Sequence, residues 1–242
     1  MRTVRRIAFA ALLLALPSPP AARAQQAAED WPIYAARGRT DRRWDACVKK
    51  GLDLFTSAEM AGAARQFQKA LSAGCDDGLV IFRLAACTGV AGDSARAVEL
   101  LDTAIPLIEA RYAGTVYPLQ ARNLRAILLA GQGKYADAER DLRTALRANP
   151  SSAETHNNLG KLYAAQGRHG EAFLEFEQAL QIDPADPTAR LNLGFLYESE
   201  GKHDEALAAF DEMVRRRPDD YRAYYAKGQT FLRMEFLEEA IE

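Results

Sequence analysis

The sequence predicts an all-α solenoid of antiparallel helix pairs, and three observations carry that expectation. Ala138, Ala172, Ala206 and Ala240 recur at intervals of 34 residues, and fixed self-similarity at such a period marks a stack of helical hairpins. Gly133, Gly167 and Gly201 stand five residues before three of these alanines, and Pro150, Pro184 and Pro218 stand twelve after, so each period carries its own turn signals. Alanine is abundant while aromatic residues make up 9% of the chain, a balance that suits closely packed helices better than a sheet.

The amino terminus has a different character. Arg2, Arg5 and Arg6 precede an apolar run from Ile7 to Leu16, and a Pro-rich stretch ends in Ala22-Arg23-Ala24. Those three parts spell a secretory signal peptide over residues 1–24. Ten apolar residues are about half of what a helix needs to cross a bilayer, so no integral membrane span is expected after signal cleavage. The protein is then exported, to a bacterial periplasm or the extracellular space, and residues 25–43 read as a linker or short helix. Removing residues 1–24 takes away four Arg from the 31 Lys and Arg, which leaves 27 against 33 acids, a net charge of -6. A mildly acidic chain is a poor ligand for polyanions, so no nucleic-acid partner is expected.

Tracing the 34-residue frame gives the organisation of the rest. Residues 44–111 hold two degenerate repeats through Ala63 and Ala97, with Gly51, Phe67 and Ala70 in register and Cys75 where Pro is usual. The interval from Ala97 to Ala138 is 41, and the excess is placed in an inserted loop at 112–118, near Gly114 and Pro118. Three repeats follow over 119–220, and 221–242 is a partial copy. In register are Leu159 and Leu193; Gly160, Gly194 and Gly228; Tyr163, Tyr197 and Phe231; and Leu142, Phe176 and Phe210. This pattern of Leu-Gly, Tyr, Gly, Ala, Phe, Ala and Pro resembles the tetratricopeptide repeat, most closely over 153–186 and 187–220. The resemblance implies a right-handed superhelix whose concave wall is built mainly from the first helix of each pair. It also implies a non-enzymatic scaffold, with other proteins or peptide segments as partners.

Residues with chemical potential read as structural. His169 and His203 are 34 apart on one ridge, but neither has a Cys or carboxylate at ligand spacing better explained by coordination, so no metal is expected. Gly131-Gln132-Gly133-Lys134 has part of a phosphate-loop pattern, yet it lies between paired helices and lacks the Walker spacing. No catalytic motif and no cofactor site emerges. Cys47 opens the first helix of its hairpin and Cys75 follows the second, which places both at one end. In an oxidising compartment that pair is the disulfide candidate, with Cys87 free, and three reduced thiols are the alternative.

Helical spacing assigns the groove. On the first helices, the face not used by the Leu-Gly-Tyr core carries Glu154, Asn157, Asn158 and Lys161, then Leu191, Asn192, Phe195 and Glu198, then Tyr225 and Gln229. Asn158 and Asn192 are equivalent, and resemble the start of the Asn ladder of O-linked N-acetylglucosamine transferase repeat domains, where an amide row suits an extended peptide. The expected function is a cell-envelope scaffold that holds peptides or partner proteins. The alternatives are a recruiting module of a larger enzyme with its catalytic part beyond residue 242, and self-association through Phe195 and Tyr225. Because Glu242 falls two residues after Ala240, the last hairpin is expected to be truncated, fraying over 221–242, with at least one further helix following.

Overall fold

The computed structural model describes residues 44–234. The signal peptide, the 25–43 segment and the residues around Ala240 lie outside the described residues. Eleven α-helices follow one another here, with no strand among the described residues: α1 Asp45–Thr56, α2 Met60–Ser72, α3 Gly78–Val90, α4 Ser94–Arg111, α5 Tyr117–Gly131, α6 Tyr135–Ala148, α7 Ala153–Ala165, α8 His169–Ile182, α9 Pro187–Ser199, α10 His203–Arg216 and α11 Tyr221–Arg233. The described residues divide into two compact units, unit 1 up to Asp141 and unit 2 from Leu142.

The turn within each hairpin explains the glycine period. Gly133, Gly167 and Gly201 adopt φ of 77°, 73° and 74°, the left-handed region where a Cβ is penalised. Around Gly167 the amide of Arg168 returns to the carbonyl of Tyr163 at 2.9 Å, which satisfies a carbonyl at the helix end. Between α1 and α2 the same slot holds Ala58, at φ 62°, with Glu59 N returning to Leu54 O at 2.8 Å. Helix starts use side-chain caps: Asp77, Asp93, Ser152, Asp186 and Asp220 each accept from a backbone amide of the following turn.

In unit 1, α1 pairs with α2 and α3 with α4, and α5 packs on α4. Phe67, Leu101 and Ile108 are fully buried at the centre of its core. The seven extra residues of the sequence are shared between helix and loop: α4 has 18 residues where α6, α8 and α10 have 14, and it runs through Pro106. Asp77 holds the far end of that longer helix. Its carboxylate caps Leu79 N, accepts from Tyr112 Oη at 2.7 Å, and pairs with Arg111 at 2.9 Å.

The three cysteines stand free, Cys47 and Cys75 among them. Both do belong to the core region of the first hairpin, but Cys75 is drawn into the apolar cluster by the turn at Gly74, whose φ is 95°, while Cys47 is half-buried on α1. Sharing one end of a hairpin is a weaker condition than the roughly 4.4–6.8 Å Cα separation a bridge requires. Burial pushes the Cys87 thiol up to about 12, so it is an inert core residue.

Unit 2 shows the steric logic of the period most clearly. A Cβ added at Gly160 would lie 2.7 Å from the Phe176 ring, and one at Gly194 2.3 Å from the Phe210 ring. Hydrogen alone leaves room for those rings, so each phenylalanine is buried against the backbone of the helix it faces. Ala172, Ala179, Ala206 and Ala223 are fully buried where helices meet. Ala172→Leu is expected to overpack this seam and lower stability by about 1–3 kcal/mol, read by thermal unfolding.

Candidate groove on unit 2

Three first helices, α7, α9 and α11, are neighbours within unit 2. Their equivalent faces bring the groove candidates together in part. Asn157, Asn158, Leu191 and Asn192 are buried, Lys161, Phe195 and Gln229 are half-buried, and Tyr225 is 65% exposed. The open portion of the face is therefore Lys161, Phe195, Gln229 and Tyr225 rather than the asparagine row.

The asparagines pair differently from the simple register. Asn192 Nδ2 donates to Asn157 Oδ1 at 2.8 Å, a buried bond across 35 positions, so the contact joins one residue to the predecessor of its equivalent. Adjacent helices are offset by about one residue there, so an Asn157 and Asn192 staple lies within the face on which Asn158 and Asn192 are equivalent. The bond fixes α7 against α9. An amide engaged with its neighbour has fewer groups left for a peptide backbone.

A second staple joins α9 to α11. Glu198 is buried, accepts from Thr230 Oγ1 at 3.1 Å, and pairs with Arg233 Nη1 at 2.7 Å. Sequence reasoning placed Glu198 on this face but missed Thr230 and Arg233. The 35-residue offset from Glu198 to Arg233, the same as between the asparagines, is the signal that would have found the ion pair.

Lys161 is the electrostatic exception. Desolvation holds its ammonium below the usual lysine range, because burial penalises a charged form that no facing anion offsets. No carboxylate of the described residues pairs with it. Around it the face turns apolar. Phe195, the register equivalent of Lys161, packs edge to face on Phe210 with ring centroids 5.5 Å apart. On α11, Tyr221 and Tyr225 are exposed one turn apart, and Gln229 Nε2 donates to Tyr225 Oη at 3.3 Å.

The other sequence candidates have structural surroundings. His169 Nδ1 lies 3.4 Å from Glu200. His203 Nδ1 is buried without a hydrogen-bond partner. Among the described residues no group of three His, Cys, Asp or Glu could hold a metal ion, and no helix is long and apolar enough to cross a membrane.

Comparison with known proteins agrees with this architecture. Residues 123–187 and 163–230 each match a family model described as tetratricopeptide repeat. A thermophilic TPR protein of Thermus thermophilus superposes with a TM-score of 0.64 at 25% identity, over 78% of this chain and 99% of its own. A tetratricopeptide repeat protein of Parabacteroides merdae gives a TM-score of 0.71 at 17% identity, over 90% of this chain and 81% of its own. Pseudomonas aeruginosa pilF gives 0.62 at 18% identity, over 82% and 87%. These last two speak for the fold alone. No curated protein matches by sequence. Residues 123–230 are therefore a run of tetratricopeptide repeats, in a chain whose fold is the all-α solenoid of helix pairs.

Proposed function

We propose that this protein is a non-enzymatic scaffold that seats an extended segment of a partner protein along the α7, α9 and α11 face of unit 2. The observation that carries the reading is Lys161, a desolvated ammonium with no carboxylate partner of its own, on α7 at the register position that Phe195 fills on α9, the helix to which α11 adds the exposed Tyr225. Such a cation gains most from an acceptor that a ligand brings, a carboxylate or a row of peptide carbonyls. The neighbouring aromatics supply apolar area at low entropic cost. The two buried staples keep the face in one geometry, so binding need not order it first. Export to a bacterial cell envelope is part of the proposal and rests on residues 1–24 of the sequence.

Crosslinking of the full chain in its own cell envelope, followed by mass spectrometry, identifies the partner segment, and titration of that segment tests the face. Lys161→Ala and Tyr225→Ala are each expected to weaken it about tenfold, equivalent to about 1.4 kcal/mol, with the melting temperature little changed. Undiminished affinity in the double variant would remove the groove reading.

A further inference from the structure

Both ring nitrogens of His156 face hydrogen-bond acceptors. Nδ1 lies 2.7 Å from Glu175 Oε2 on α8, and Nε2 lies 3.0 Å from the carbonyl oxygen of Pro150, in the turn before α7. A neutral imidazole has one N–H and one lone pair, so it can donate to only one of these oxygens and turns its lone pair on the other. The doubly protonated ring donates to both.

The repeat supplies an independent comparison. Arg190 stands 34 residues after His156, and its Nη2 reaches the carbonyl of Pro184, six residues before it, at 2.7 Å. His156 reaches Pro150, also six residues before it, from the same register position. A guanidinium is always a cation and a donor only. One repeat thus fills this socket with a permanent cation, and the preceding repeat fills it with an imidazole, which donates from both nitrogens only when doubly protonated.

We infer that His156 is a proton-operated clasp, which on taking up its second proton ties the Pro150 turn to α8 across the start of α7. The ring and Glu175 are 14% and 22% exposed, so solvent screens the contact weakly. Glu175 is the charged group that α8 brings to the ring; α6 also reaches α7, where Arg143 donates to Tyr163 Oη at 2.9 Å, and neither α6 nor α9 brings a charged group into ion-pair contact with the ring. On α7 itself Glu154 and Lys161, two and five positions away, project from other sides of the helix. Proton uptake adds a donor, so the clasp holds in acid and loses one of its two bonds as the ring deprotonates. Because α7 also carries Asn157 and Lys161, the clasp stiffens one wall of the proposed groove, but it does not depend on that reading.

Thermal unfolding of the full chain tests this at about pH 5.5 and about pH 8, on either side of the ordinary histidine titration. His156→Gln, which can donate but never carries charge, is expected to melt below the wild type by about 2–4 °C more at the lower pH than at the higher. His156→Arg should copy the wild type in acid and keep that stability at the higher pH. A wild-type-minus-Gln difference that stays constant across the series overturns the clasp. Nitrogen-15 spectra of the wild-type ring provide the second readout, independent of how the variants fold. Protons on both Nδ1 and Nε2, protected from exchange at the lower pH, support the clasp, and a single protected N–H there overturns it.

Discussion

Phe210→Ala is expected to lower the stability of the chain by about 3–5 kcal/mol, a large share of what holds a domain together. The ring is completely buried, it touches the backbone of α9 at Gly194, and it stacks edge to face with Phe195. Its loss opens a cavity that neighbours fill only in part, because Gly194 has no side chain to move and Ala206, Ala223 and Ala226 have no rotamers to change, which leaves Leu191 and Met213 as the buried side chains of the cluster able to shift. Denaturant unfolding reads the loss as a lower midpoint. The converse substitution, Gly194→Ala, drives a methyl into the same ring, so the two variants should fail together while remaining poorly additive. A cost under about 1 kcal/mol for Phe210→Ala would mean that α10 does not lie against α9 as described.

The second large effect is electrostatic. Asp141→Asn is expected to cost about 3–5 kcal/mol, because Asp141 is buried on α6 and neutralising it leaves two enclosed guanidinium groups without their shared anion. Arg122 Nη1 reaches it at 3.0 Å and Arg125 Nε at 2.7 Å, and these arginines continue outward to Glu109 and Asp102 on α4. The Asp141 and Asp102 hydrogen bonds hold the Arg125 guanidinium above its ordinary value. Denaturant unfolding of the variant checks the magnitude. Asp102→Asn is the control, since its carboxylate is 60% exposed and an exposed ion pair contributes about 1 kcal/mol or less.

Much of the fold was legible because the period constrains backbone and core together. Gly167 before Ala172 announces a left-handed turn, and Gly160 sixteen residues before Phe176 announces a helix approached closely enough to exclude a methyl. What the period hides is whatever departs from exact repetition. The Asn157 and Asn192 bond and the Glu198 and Arg233 pair both run across 35 positions. Helix packing offset produces that extra residue, and self-alignment at 34 looks past it. The Asp141 network was missed for another reason: Arg125 has Leu159 as its counterpart, and Arg122 and Asp141 recur as His156 and Glu175, a change of residue type at both ends that hides the shared pairing until α4, α5 and α6 are seen to bring these charges together. For the groove, helical spacing identified the right helices but not the depth of each side chain, which depends on the neighbour's bulk. Asn158 is covered and Tyr225 is not, although both stand on the predicted face.

Ala58 takes the left-handed conformation that glycine supplies in the later hairpins. An L-residue there stores roughly 1 kcal/mol of backbone strain, which closure of the α1 and α2 pair must overcome each time it forms. At equilibrium the closed form of this hairpin lies nearer in free energy to its own opened form, by roughly a factor of five in population. The α1 and α2 hairpin is thus readier to open locally than it would be with glycine at position 58.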